Sequence, residues 1–212
     1  MTDAVPPPSR GARTTGHRHG SHGWEGLGRE EALARLESPD RRRWQDPERL
    51  WKEVGLLPGE TVVDVGAGTG YFALPAARLV GPKGRVYAVD VARDLHALVG
   101  ERGASEKLEW LVPVLSESGR IPLESSIADV VLFANVLHDV PEETIAEAVR
   151  LLRPKGRLVN LDWRKTETPF GPPSEIRLSP EEARERLSFH GLRPLRPIEA
   201  EPYHYAELFA RA

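Results

Sequence analysis

The chain has 212 residues, 29 basic and 32 acidic, for a net charge of −3 with neutral histidines. That balance argues against a partner held by phosphate charge, such as bulk DNA or RNA. Cysteine is absent, which excludes disulfides, thiolate metal sites and cysteine nucleophiles. At 40% hydrophobic residues the chain can bury a core. The length suits one domain with a modest extension. No apolar run approaches the roughly 18 residues that span a bilayer. The first residues carry Pro6, Pro7, Pro8 and arginines but no apolar stretch, so the expectation is a cytoplasmic protein without a secretory signal.

In chain order, residues 1–23 read as a disordered arm, rich in Pro, Gly, Ser and Arg. It carries His17, His19 and His22. Imidazole suits a divalent metal, but no nearby carboxylate precedes Glu25 and no scaffold holds the rings, so a solvated tail is the expectation. A lid involving Trp24 and Trp44 is the other reading. Residues 24–56 form a helical cap. Glu30 to Leu36 is a short helix. Arg41-Arg42-Arg43 is read as a solvated helix face or turn, with nucleic-acid contact as the alternative. Asp46-Pro47 caps and opens a helix with Leu50, Trp51 and Val54 inward.

Residues 57–212 then alternate strand and helix. Thr61 to Val65 is a β-branched strand. A helix over Tyr71 to Val80 places Leu74, Ala77, Leu79 and Val80 on its apolar side. Arg85 to Val89 is the second strand, His96 to Glu101 a weak short helix, Leu108 to Val114 the third strand. Asp129 to Ala134 is an apolar run suited to a strand buried on both faces. Asp139 to Glu142 has capping-box spacing and starts a helix bearing Ile145, Ala148, Val149 and Leu152; Pro154-Lys155-Gly156 ends it. Arg157 to Trp163 is the fifth strand. Ser179-Pro180-Glu181-Glu182 is a second capping box, whose helix ends near His190-Gly191. Arg193 to Ile198 and His204 to Ala210 close the chain as a hairpin-like pair. The alternation predicts an α/β fold, a mostly parallel sheet with helices on both faces.

The run Val62 to Gly70 carries the strongest chemistry. A strand meets Gly66-Ala67-Gly68-Thr69-Gly70, and a helix follows. Glycines let the backbone turn sharply and approach a ligand closely, and a helix start offers free N–H groups. The spacing is G-x-G-x-G, not the G-x-G-x-x-G of dinucleotide binding. Asp64, two residues before Gly66, would repel a pyrophosphate but suits an ammonium group. Asp90, at the end of the second strand, suits the hydroxyls of a ribose. The two together ask for a nucleoside with an amino-acid tail, which S-adenosylmethionine is.

From Leu50 to Ala212 the sequence resembles the class I S-adenosylmethionine-dependent methyltransferases, with Asp64 to Gly70 as cofactor loop and Asp90 as ribose ligand. The resemblance implies a doubly wound, Rossmann-like, seven-stranded sheet, mostly parallel with an antiparallel C-terminal strand. It implies cofactor contacts at Asp64, Gly66, Ala67, Gly68, Gly70, Asp90, Val91 and Asn135. Relatives often place an acidic residue after the third strand against the adenine amino group; here Val112 to Glu117 lacks the usual Gly-Asp, leaving Ser116 or Glu117. The fourth strand runs into Asn135-Val136-Leu137-His138-Asp139, not the Asn-Pro-Pro-Tyr or Asp-Pro-Pro-Tyr of nitrogen methylators. This element is similar to segments of plant-type O-methyltransferases and of ubiquinone and menaquinone C-methyltransferases. His138 is the candidate base, with a pocket-wall role as the alternative. Asp139 is assigned to the helix cap. Asp162, Arg164, Lys165 and Arg177 are read as pocket-border residues or surface loop charges, and Trp163 as a stacking wall or plain core. The expected acceptor is a small molecule offering an oxygen or carbon nucleophile, with no metal, nucleic acid or membrane partner. A macromolecular acceptor, a non-catalytic cofactor-binding regulator and a nicotinamide oxidoreductase are the alternatives. Arsenite methyltransferases of similar sequence use thiolates, which this chain lacks.

Overall fold

A computed structural model describes residues 29–38, 40–169, 171–200 and 202–212. The expected arm over residues 1–23, with its histidines, and Trp24 lie outside the described residues.

The chain opens on helix α1 (Arg29–Leu36), a short α2 (Arg41–Trp44) and α3 (Pro47–Val54). Asp46 caps α3, its carboxylate accepting from the N–H groups of Glu48 and Arg49 at 3.0 and 3.4 Å, and Pro47 sets the first helical φ. The apolar face of α3 buries Leu50, Trp51 and Val54. The Trp51 indole N–H donates to the carbonyl of Phe72 at 3.0 Å, which satisfies its one polar atom inside the core.

Seven strands follow: β1 (Thr61–Val65), β2 (Arg85–Asp90), β3 (Leu111–Leu115), β4 (Ala128–Ala134), β5 (Leu152–Trp163), β6 (Leu192–Ile198) and β7 (His204–Arg211). They form one sheet in the order β3-β2-β1-β4-β5-β7-β6. The first five pair in parallel, and β7 runs antiparallel to both β5 and β6. The helices α4 (Ala73–Val80), α5 (Arg93–Ser105), α6 (Glu142–Leu151) and α7 (Pro180–Phe189) complete the fold. Side chains alternate across the sheet. Val62 joins a core with α3, α4 and α5, while Val63 and Val65 join one with α6 and α7. This is the expected doubly wound α/β architecture. Among the described residues no helix is long and apolar enough to cross a membrane.

Several local expectations need correction. Helix α5 is 13 residues long, not a short turn over His96 to Glu101. Gly100 and Gly103 weaken its sequence signal, yet a Cβ at Gly103 would lie 3.2 Å from Leu111, so glycine there serves close helix–strand packing. Helix α4 begins at Ala73, and Leu79 points to solvent. Asp139 does not cap α6: it lies in a turn closed by its own N–H and that of Val140 on the Val136 carbonyl, and the cap position is Pro141. Strand β5 starts at Leu152, because the register with β4 jumps from Ala128↔Leu152 to Val130↔Arg157. Pro154 to Gly156 thus lies in a bulge inside a strand, where the pairing with β4 is interrupted. The second capping box is present as expected, Ser179 and Glu182 bonding reciprocally.

Candidate active site

From β1 the chain winds outward to β2 and β3, then crosses back to β4 on the other side. The carboxyl ends of β1, β2 and β4 therefore border a crevice at the switch point, where α/β sheets take their ligands. A cavity of about 420 Å³ opens there. Asp64, Gly66, Ala67, Gly68, Asp90, Val91, Ser116, Glu117 and Asn135 all line it. Gly70 does not; it packs toward Leu74 and Val99. His138 is not among the lining residues.

Gly66, Gly68 and Gly70 have φ of 74°, 56° and 83°. Gly66 and Ala67 donate their N–H groups to the Val89 carbonyl at 2.8 and 3.0 Å, which fixes the loop against β2. A Cβ on Gly66 would stand 2.7 Å from a Val136 methyl. With positive φ and that clash, Gly66→Ala should lower stability by about 1–3 kcal/mol, measured by urea unfolding. An unchanged midpoint would show that the loop has room to shift.

Two carboxyls dominate the electrostatics. Asp64 is 1% exposed, and neither oxygen has a hydrogen-bond partner among the described residues. Burial, then the charge of Asp90, push its pKa up to about 7, against a small opposing effect of Arg41. Asp90 accepts from the N–H groups of Gly68 and Ala92 at 2.8 and 2.9 Å. Burial raises its pKa, and the backbone donors of Ala92, Gly68 and Val91 oppose that rise.

The first helices reach over this loop. Leu36 and Arg41 line the cavity. Arg102 donates to the Thr69 carbonyl at 2.8 Å and pairs with Glu37. Asn135, in a left-handed conformation with φ of 61°, exchanges amide hydrogen bonds with Gln45 at 3.2 and 3.3 Å. Arg41 is only 7% exposed, which corrects the solvated reading of the basic triplet. Arg42 and Arg43 are exposed and pair with Glu48 and Asp40. No sequence signal separates Arg41 from its neighbours; its guanidinium is held inward over the Tyr71 ring.

Beside the cavity lies a second polar cluster. The His138 side chain is 5% exposed, with Nδ1 2.9 Å from a carboxylate oxygen of Asp162, whose side chain is 0% exposed. Asp162 also accepts from the backbone N–H groups of His138 and Trp163 at 3.3 and 2.8 Å. Burial alone would lower the His138 pKa; the bonded and charged Asp162, with Asp139, outweighs it and raises the pKa. The surface-charge reading of Asp162 is thus corrected. So is that of Arg177, which is buried and donates to the carbonyls of Arg164, Thr166 and Pro172 and the Thr168 hydroxyl. It fastens the loop after β5. His204, 1% exposed, lies between Trp44, stacked at 5.4 Å, and Trp163 at 4.1 Å. Burial, then Arg41, Arg177 and Arg164, lower its pKa to about 3, so the ring is neutral.

Known proteins bear on this geometry. The family described as a methyltransferase domain matches residues 63–160. A solved S-adenosylmethionine-dependent methyltransferase from Aquifex aeolicus is 32% identical, with a TM-score of 0.80 over 85% of this chain and 96% of that one. An arsenite methyltransferase of Halobacterium salinarum is 33% identical over 128 residues, 59% of this chain and 32% of its own. A ubiquinone/menaquinone biosynthesis C-methyltransferase, UbiE, of Pseudomonas putida is 33% identical over 129 residues, 55% of this chain and 49% of its own. The match thus spans about a third to a half of those curated relatives' length. With a switch-point crevice, a glycine loop and relatives of this kind, the chain belongs to the class I S-adenosylmethionine-dependent methyltransferases. S-adenosylmethionine is the cofactor of that family.

Proposed function

We propose that this chain is a cytoplasmic enzyme that moves the methyl group of S-adenosylmethionine to an oxygen or carbon nucleophile of a small molecule. One observation carries the reading: the buried Asp64 carboxyl, unpartnered among the described residues, at a cavity whose floor is a positive-φ glycine loop. A buried carboxyl without a partner is costly, and an ammonium group would resolve it. The residues present fit the cofactor. Asp64 would take its ammonium group. Asp90, with lone pairs left beyond its backbone donors, would take the ribose hydroxyls. Gly66 and Gly68 would let the backbone approach, Val91 and Asn135 would wall the site, and Ser116 or Glu117 would meet the adenine edge.

When bound, the cofactor supplies an electrophilic methyl group on a sulfonium. The protein must then hold the acceptor about 3–3.5 Å away and in line, and take the acceptor's proton. His138 is the candidate to take that proton, because Asp162 holds Nδ1 as the donor and leaves Nε2 to receive it. In the described conformation His138 lies outside the cavity lining, so this role requires the wall beside it to move on acceptor binding. That same burial favours the second reading, in which His138 is only a wall. The segment 24–56 acts as a cap on the 57–212 methyltransferase unit, because Leu36 and Arg41 line the cofactor cavity. Without cysteine, the chain offers no thiolates for arsenite.

Tritiated S-adenosylmethionine incubated with the protein and fractionated host metabolites tests the proposal. A labelled small molecule is the expected result. Tight S-adenosylhomocysteine binding without label transfer to any small molecule would replace the proposal with a regulator or a macromolecular acceptor.

A further inference from the structure

Arg41 carries a buried positive charge that its surroundings do not neutralise. Its Nε donates to the Gln45 side chain at 2.8 Å, Nη1 donates to the Leu36 carbonyl, and its guanidinium lies 3.8 Å from the centre of the Tyr71 ring. All three partners are uncharged. Among the described residues no carboxylate lies within ion-pair distance of Arg41, and its Nη2 has no hydrogen-bond partner. Glu37, the nearest acidic neighbour in sequence on its N-terminal side beyond Asp40, is paired with Arg102 instead, and Asp40 pairs with Arg43. Burial accordingly lowers the Arg41 pKa to about 10, which leaves it charged at neutral pH. The same cavity is lined by Asp64, a buried carboxyl without a partner among the described residues. One wall thus offers an unmatched anion and another an unmatched cation.

We propose that Arg41 binds the carboxylate of the cofactor's amino-acid tail while Asp64 takes its ammonium group, so that α2 completes the cofactor site. The inference rests on the cofactor reading above and extends it to a residue outside the matched segment 63–160. A zwitterionic α-amino acid satisfies both orphan charges at once. The charge balance agrees: Asp64, Asp90 and Arg41 sum to one negative charge when ionised, and S-adenosylmethionine carries one positive charge. A planar guanidinium also suits a carboxylate by geometry, since two of its N–H groups fit two oxygens. Tyr71 and Gln45 hold that plane: the Tyr71 hydroxyl donates to the Gln45 carbonyl at 2.6 Å, and Gln45 is locked to Asn135. A ligand with the ammonium group but without the carboxylate leaves Arg41 buried and unmatched, so the site selects against it.

Isothermal titration of the full chain at pH 8 with two ligands tests this: S-adenosylhomocysteine and its decarboxylated analogue. The native chain should bind the decarboxylated analogue about 10- to 100-fold more weakly. Arg41→Gln should weaken S-adenosylhomocysteine by a similar factor and change the analogue less than about threefold, and Arg41→Lys should recover part of the loss. Equal binding of both ligands by the native chain overturns the proposal without any variant. Equal weakening of both ligands by Arg41→Gln also overturns it, by showing that Arg41 only shapes the cap. If the native chain binds neither ligand, the cofactor reading itself falls.

Discussion

Asp64→Asn will melt several degrees above the native chain in ligand-free buffer at pH 8, and it will bind S-adenosylhomocysteine at least about 30-fold more weakly. The two effects have one source. Burial, then Asp90, raise the Asp64 pKa from an ordinary 3.8 to about 7. In the unfolded chain the group ionises near its ordinary value. Below about pH 4 the carboxyl is neutral in both states, and the variant gains nothing from losing the charge. Between about pH 4 and 7 the unfolded chain loses its proton first, so native stability falls as pH rises. Above about pH 7 both states are ionised and the full penalty is present. A gap of about three pH units corresponds to about 4 kcal/mol, so an uncharged isostere should recover about 1–4 kcal/mol. At about 2–4 °C per kcal/mol for a chain of this size, calorimetry resolves the difference. The ligand reverses the balance, because an ammonium group needs the carboxylate. Cofactor affinity of the native chain should therefore be flat above about pH 7 and fall about tenfold per unit below it. In Asp64→Asn that slope should be missing. A variant that is less stable at pH 8, or that keeps the slope, would remove Asp64 from the site.

The parts of the fold and site legible in the sequence are those whose determinants are contiguous. Val62 to Gly70 encodes a strand and a turn that needs positive φ within nine residues, so loop and Asp64 can be read together. Asp90 follows because a parallel neighbour ends at the same edge, Val65 pairing with Val89. What escapes reading depends on contacts between distant segments. Asp162 meets His138 because β4 and β5 are adjacent, with Ala134 opposite Leu161; the chain beyond β4 then folds back over the next residue of β5. Both strands are readable, but the direction of that return is not. Asp139 has the spacing of a cap, yet the Val136 turn and Pro141 move the helix start two residues on. Arg41 looks like Arg42 and Arg43 in sequence, and only the docking of α2 on Tyr71 distinguishes it.

Asp162→Asn should lower methyl transfer by about 10²- to 10⁴-fold and move the rising limb of the pH–rate profile to lower pH. Asp162 lies fully buried against the His138 ring and fixes both Nδ1 and the backbone of that residue. Burial disfavours the protonated ring, and the carboxylate more than compensates, so the native pKa lies above the ordinary 6.5. An amide removes the bonded charge and leaves the burial. The ring then loses its proton at lower pH, and it is no longer held in a single tautomer, because an amide can present either its oxygen or its NH₂ to Nδ1. Two readouts separate the roles. Ring chemical shifts of His138 in the cofactor-bound protein report its pKa without any acceptor; turnover with the labelled acceptor reports the reaction. If His138 is the base, both move together, and Asp162→Asn has little further effect in a His138→Gln background, as for residues that act as one unit. If the ring pKa falls while the rate limb stays in place, the proton leaves by another route, and His138 is a wall that Asp162 holds shut.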